Sequence, residues 1–350
     1  MTRDLQTLFG IDAPLVLGPF GGMSSVALTA SVSGAGGLGS FGLYGYSGAR
    51  IRETAAALRA ATTRPFALNL WLPTGDEVQP GDVDLAAARA AVAPLLEAAG
   101  VDVPSPLPEA FLPSLEEQLD AVWDAAPAVL SVVFGVPPVE VVADAHRRGI
   151  RVVGTATSVA EAVALAGGGV DAIVASGAEA AGHRVSFLRR AEDSLVGTFA
   201  LVPQVVDAVD VPVIAAGGVA DRRGVAAAFA LGAAGVQVGS AFLRTRQSAA
   251  SDAHRAALRA AADTDTVLTR AMSGRLARGI PNRAVRTIEA AGAMAPFPAQ
   301  NWLTASFRSA AAEDGDLASL WAGQAAGLSR SDDADEVFAE LAAGVPAASD

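Results

Sequence analysis

Short apolar runs recur along the 350-residue chain near Leu15, Leu38, Phe66, Val129, Val152, Ile173, Val213 and Val236, with helical stretches between them. Runs of Val, Ile, Leu and Ala without polar alternation read as strands buried on both faces, the mark of a parallel sheet covered by helices. Their spacing of roughly 20 to 40 residues leaves room for one helix per connection, apart from one excursion. This pattern predicts an α/β chain folded as a (β/α)8 barrel in preference to an open doubly wound sheet. The nearest thing to a dinucleotide fingerprint, Gly34-Ala35-Gly36-Gly37-Leu38-Gly39, precedes a strand instead of joining a strand to its helix, so the context it needs is missing.

The predicted strands are Leu15–Leu17, Leu38–Phe41, Phe66–Leu70, Val129–Phe134, Val152-Val153, Ala172–Ala175, Val213–Ala215 and Val236–Val238. Ser24 or Ser25 caps the first predicted helix, which runs to about Ser33, and Thr157 or Ser158 starts the one ending near Ala166. The barrel is expected over residues 1–262, with an insertion after strand three at residues 73–125 that contains helices at Leu85–Ala98 and Leu115–Ala125. Its polar, proline-rich part reads equally well as a lid or as a surface insertion. Residues 263–350 are expected to form a C-terminal segment with a small helical appendage. Its predicted helices are Asn301–Ala312, Leu317–Ala325 and Asp333–Leu341, docked by Trp302 and Trp321.

Composition narrows the chemistry. A net charge of −12 leaves no cationic excess for a nucleic-acid backbone, yet backbone N–H groups can still hold a small phosphate. The absence of cysteine excludes thiol nucleophiles, disulfides, iron–sulfur clusters and thiolate zinc sites. Residues 13–49 carry no charge and are long enough to cross a bilayer, but Pro14, Pro19 and many Gly and Ser argue for a buried strand–helix–strand unit. MTRDLQTLFG lacks the apolar stretch of a signal peptide, so a cytoplasmic location without membrane partner is expected.

The C-terminal ends of the predicted strands are where a barrel places its chemistry. Val170–Arg184 runs from a strand into a long loop that carries Glu179 and His183. Gly217-Gly218 and Gly239-Ser240 follow the last two strands and form a candidate phosphate cradle for FMN or a sugar-like ligand, against the alternative of plain tight turns. Asn69 suits the polar edge of a flavin or base, although residue type alone favours a turn or cap. Tyr44 and Tyr46 lie where a ring could cover a ligand. His183 reads either as a proton acceptor or hydrogen-bond donor to an anion, or as a brace for its loop. His146 and His254 are expected at the surface; no two histidines have metal-ligand spacing, so no metal site is expected, and there is no G-x-S-x-G elbow. A cationic stretch, Ser273–Arg283, reads as a tie between tail and barrel or as a cover over the site.

Several segments together carry a family resemblance: PFGGMSS with SGAGGLGSFG, FALNLW, GTATSVAEA, ASGAEAAGHR, PVIAAGGVADRRGVAAAFALGAAGVQVGSAFL and SGRLARGIPN. The chain resembles the nitronate monooxygenases, formerly 2-nitropropane dioxygenases, which are FMN-dependent TIM-barrel oxidoreductases. The resemblance implies oxidation of alkyl nitronates or nitroalkanes by O2 to a carbonyl product and nitrite; a monomer or homodimer is expected, a choice the sequence leaves open. It implies that Asn69 bonds the flavin ring and that Phe20, Gly21, Gly22 and Met23 lie against it. Ser176, Ala181 and Gly182 would line the flavin, and Gly217, Gly218, Gln237, Gly239 and Ser240 would hold its phosphate end. His183 matches the family's catalytic histidine, taking a proton from a neutral nitroalkane or orienting a nitronate. Three positions depart from the pattern. Ala181 replaces the first of two glycines, Ser176 stands where one class has glutamine, and Phe20 or Gly21 occupies a methionine's place with Met23 displaced. Related flavin barrels make an NAD(P)H-dependent reductase acting on a quinone or enoyl thioester the alternative reading, and a non-catalytic flavin-binding barrel the third.

Overall fold

Each of the apolar runs becomes a parallel strand of one ring in the computed structural model, which describes residues 4–347. The strands are β1 (Leu15–Leu17), β2 (Gly39–Gly42), β3 (Phe66–Trp71), β4 (Val129–Val133), β5 (Arg151–Ala156) and β6 (Ala172–Ser176). After a two-residue strand β7 (Gly182–His183), the ring continues with β8 (Val213–Ala216) and β9 (Gly235–Val238). The order β1-β9-β8-β6-β5-β4-β3-β2 makes eight strands. Leu38, one residue ahead of β2, bridges to Val16 and closes the circle, with Leu17 N donating to Leu38 O at 2.9 Å. The (β/α)8 fold is therefore present.

Burial on both faces explains the uninterrupted apolar runs. Val16, Ala67, Val129, Val153, Ala172, Val174 and Ile214 point into the ring, and Leu5, Phe9 and Ile11 from the helix Leu5–Phe9 and its exit pack against them. Most of those inward residues hold the first or second position of their strands, so this helix plugs the end opposite the loops of interest. The alternate residues, among them Leu15, Leu17, Leu68, Leu70, Val152 and Ile173, pack outward on the helical layer. Serine caps fix several helix starts: Ser25 and Ser158 accept from the N–H three residues on.

A second hydrophobic core lies beside the barrel. Its residues come from the excursion helix Ala86–Ala99 and from the helices Arg283–Ala291 and Ala299–Ala310, with Val92, Leu95, Leu96, Ile288, Leu303 and Phe307 at its centre. Phe307 is fully buried there. Phe307→Ala is expected to cost about 3–5 kcal/mol of unfolding free energy, measured as a lowered urea midpoint.

Among the elements of the C-terminal half, three depart from the sequence expectation. Leu317–Ala325 is an extended strap instead of a helix: Ile280 N donates to Leu320 O at 2.8 Å, Trp321 bridges to Gly279, and Gln324 N donates to Glu179 O at 3.0 Å. Backbone partners from distant segments outcompete the local helical pattern. The helix Arg283–Ala291 was not foreseen, although Asn282, accepting from Val285 N, and the left-handed Gly292 are ordinary end signals. A three-stranded side sheet was also unforeseen; it joins β7 to β10 (Val267–Thr269) and β11 (Ala277–Gly279), with His183 opposite Ala277.

Candidate active site

A cavity of about 390 Å³ opens at the C-terminal end of the ring, within the roughly 300–1,000 Å³ of small-molecule sites. Every residue singled out for the site lines it. Phe20, Gly21, Gly22 and Met23 come from the loop after β1, Asn69 from β3, and Ser176 from the end of β6. Ala181, Gly182 and His183 follow; Gly217 and Gly218 come after β8, Gln237 lies on β9, and Gly239 and Ser240 follow it. Tyr44 and Tyr46 also face this space. Contributors not foreseen include Trp71, Thr155, Asn301, Arg308, Trp321 and Gly323.

The wall is built around backbone that only glycine adopts easily. Gly217 has φ +99°, and a Cβ there would stand 3.0 Å from Thr198 Oγ1 and 3.1 Å from Ala180 N. Gly218, at φ +75°, has its missing Cβ no nearer than 3.8 Å to Glu179. The two glycines thus press the chain against the sixth loop while leaving room on the cavity side. Glu179 fastens that arrangement: its carboxylate accepts from Thr198 N at 2.9 and 3.0 Å and lies 2.9 Å from Thr198 Oγ1. Arg184 is buried behind the loop and donates to Gly177 O at 2.6 Å and Ser176 O at 2.9 Å. On the other side, Ser240 Oγ accepts from Gly323 N at 2.9 Å, which ties the C-terminal strap to the rim.

Asn69 is 3% exposed inside β3, a position that excludes the turn-or-cap alternative. Its Nδ2 donates to Ser131 Oγ at 2.9 Å and is 3.3 Å from Ser131 O, so the amide is held in one orientation.

His183 projects from the edge of the side sheet. Its Nε2 lies 2.7 Å from Ser273 Oγ, while Nδ1 has no hydrogen-bond partner among the described residues. The Trp71 ring meets the imidazole edge-on at 4.9 Å and Trp321 lies at 5.5 Å. Burial pushes the His183 pKa down to about 3, helped by the charges of Arg275 and Arg308. The ring is therefore neutral at physiological pH. The cationic stretch ties the tail to the barrel, and none of its residues lines the cavity. Arg275 reaches Asp76, Glu77 and Thr74 of the excursion at 2.6–2.7 Å and stacks on Phe297 and Phe134, whereas Arg278 donates to Ala178 O at 2.8 Å.

The histidines outside the cavity divide. His146 is exposed beside Asp171, but His254 is buried, contrary to expectation, with Nε2 2.9 Å from Trp321 O. The apolar face of its helix, docked under the strap, carries it inside. Burial lowers the His254 pKa, as it does that of His183. In both cases the unfolded chain takes up a proton more readily than the folded one. The stability from neutral histidine is complete above the ordinary value of 6.5 and is lost as pH falls below it. The melting temperature is expected to drop between about pH 7 and pH 5. His254→Gln should flatten that drop, as circular dichroism melts at each pH would record.

Among the described residues, no cluster of His, Cys, Asp or Glu can hold a metal ion, and no helix is long and apolar enough to cross a membrane.

A closed parallel barrel with a glycine-walled cavity and a neutral histidine at its C-terminal rim places the chain among the (β/α)8 proteins that carry their chemistry on the loops after the strands. The chain belongs to the nitronate monooxygenase family, whose model matches residues 3–344. A probable nitronate monooxygenase of Staphylococcus aureus (strain JH9) is 37% identical over 346 residues, covering 96% of this chain and 95% of that protein. Among solved structures, nitroalkane oxidase from Streptomyces ansochromogenes matches with a TM-score of 0.85 and 33% identity over 98% of this chain and 97% of its own. FabK from Thermotoga maritima matches with a TM-score of 0.75 and 28% identity over 97% and 94%.

Proposed function

We propose that this cavity holds FMN and carries out the O2-dependent oxidation of alkyl nitronates or nitroalkanes to a carbonyl product and nitrite. The observation that carries the reading is the opposition of the Gly217-Gly218 cradle to a neutral His183 within one cavity. The residues fit the cofactor. Backbone at Gly217, Gly218 and Gly239 leaves space and N–H donors for a phosphate, as binding by main chain requires in an acidic protein. The second close approach lies beneath: a Cβ on Gly18 would fall 3.1 Å from Gly239 Cα. Gln237 and Ser240 border the same end, and Asn69, Ser176, Ala181 and Gly182 border the ring end, with Phe20 to Met23 closing one side.

FMN, when bound, would supply the electron acceptor and the means of reducing oxygen, chemistry that no side chain here provides. The chain's own part is placement and charge. Trp71, Trp321 and Tyr44 exclude water around the substrate, and His183 presents Nδ1 to it. For a neutral nitroalkane that nitrogen takes the proton from the carbon bearing the nitro group; for a nitronate it orients the anion. A base with its pKa lowered to about 3 holds a proton poorly. Preformed nitronate should therefore be turned over more readily than the parent nitroalkane.

The test is an absorption spectrum of the FMN-reconstituted protein followed by oxygen uptake with ethyl nitronate and with NADH. A flavin band with uptake driven by the nitronate supports the reading. Rapid anaerobic bleaching by NADH without nitronate oxidation would replace it with a reductase, and failure to take up FMN would leave a barrel without turnover.

A further inference from the structure

Arg308 is a cation of the cavity wall that lacks a counter-ion. It stands on the helix Ala299–Ala310, in the C-terminal segment, and lines the same space as His183. Its guanidinium donates to Asn301 Oδ1 at 2.8 Å, Asn301 O at 3.0 Å, Thr304 Oγ1 at 3.1 Å and Ser319 Oγ at 3.3 Å. All four acceptors are neutral. The other guanidiniums nearby are provided for. Arg275 pairs with Asp76 and Glu77, Arg184 and Arg278 feel the charge of Glu179, and Arg50, at the opening, is exposed over the Tyr46 ring.

Keeping a desolvated charge without a carboxylate is unfavourable unless a ligand completes it. Burial lowers the Arg308 pKa to about 10, which still leaves it charged at neutral pH. That charge also acts on His183, which places the two groups within electrostatic reach across the cavity. The fork is fixed from behind: Asn301, which accepts from it twice, donates through Nδ2 to Tyr44 Oη at 3.1 Å, and the Tyr44 ring packs on Trp71 at 4.3 Å. Those bonds occupy Nε, both N–H groups of Nη2 and one of Nη1, so one Nη1 N–H and an unneutralised positive charge are left for an oxygen of an anion such as a nitronate or a carboxylate.

We propose that Arg308 is the counter-ion of the substrate, binding a planar two-oxygen anion beside the neutral imidazole of His183 and selecting anionic over neutral substrates. The proposal rests on the substrate class inferred above for this cavity, and its first test does not require turnover.

Propionate, which offers the same planar anion and cannot be denitrified, is titrated into FMN-reconstituted protein by calorimetry, with propionamide as the neutral control. The wild type should bind propionate in preference to propionamide. Arg308→Met should weaken propionate by about 10- to 100-fold and leave propionamide unchanged, and Arg308→Lys should recover part of the loss. Two turnover arms then locate the anion. If Arg308 holds the nitronate group, Arg308→Met raises KM for ethyl nitronate and for a nitronate carrying a distal carboxylate alike. If it holds a distal carboxylate, only the second substrate suffers. Unchanged propionate affinity in a folded Arg308→Met protein, or equal wild-type affinity for propionate and propionamide, would overturn the proposal even if nitronate oxidation were demonstrated. Loss of propionate binding in a protein inactive on nitronates would uphold the counter-ion and refute the oxidation.

Discussion

His183→Asn is expected to reduce kcat/KM for nitroethane by about a hundredfold or more and for ethyl nitronate by less than about tenfold. The asymmetry follows from what each substrate needs. A nitroalkane must lose a proton from carbon, and among the cavity-lining residues His183 presents the ring nitrogen suited to receive it, its Nε2 already engaged with Ser273 Oγ. Asparagine cannot take that proton at any accessible pH, but its amide keeps a donor in the same region for a substrate that arrives already ionised. Steady-state oxygen uptake with the two substrates side by side measures the split. Equal and unchanged turnover on both would remove His183 from the chemistry and return it to a loop brace. The lowered pKa adds a second check: because burial and the charges of Arg275 and Arg308 hold the imidazole neutral down to about 3, the wild-type profile with ethyl nitronate should show no limb centred on the ordinary histidine value.

Gly217→Val is expected to abolish retention of FMN through purification, with a loss of affinity of about a hundredfold or more on reconstitution. Two penalties coincide. A β-branched residue is strained at φ +99°, and the new side chain would begin 3.0 Å from Thr198 Oγ1 and 3.1 Å from Ala180 N. Relief of either contact moves the loop away from Glu179, whose carboxylate holds Thr198 N, and so opens the cradle. Fluorescence titration of the apoprotein with FMN reads the affinity. Gly81→Ala is the control, since its added methyl group meets nothing within 4 Å and no positive φ opposes it. A Gly217→Val protein that kept its flavin at wild-type affinity would show that the phosphate lies elsewhere.

The barrel was legible because its strands are buried on both faces, and that demand writes itself locally as runs such as Leu15–Leu17 and Val213–Ala215. The ends of those runs marked the rim, so the glycines and His183 that line the cavity could be named in advance. Asn69 was ambiguous by type and became definite only when its place inside β3 was known. His254 and the Leu317–Ala325 strap were misjudged for one reason. Each is decided by partners far along the chain, His254 by Trp321 O and the strap by Ile280, Ser240 and Glu179. Periodicity reports which face of an element is apolar, and says nothing of which remote backbone will pair with it.

The sequence by itself therefore determined the ring, its order of strands and helices, and the rim positions where chemistry belongs, because burial and turn geometry act over neighbouring residues. Only the tertiary structure decided the other half of the cavity. Arg308, Asn301 and Trp321 reach it from the C-terminal segment, Ser273 of the same segment holds His183, and Tyr44 meets Asn301 across 257 positions of sequence. No local pattern encodes such meetings. They arise when the excursion and the tail build a common core beside the barrel, and that packing sets both the neutrality of the histidine and the unpaired charge that faces it.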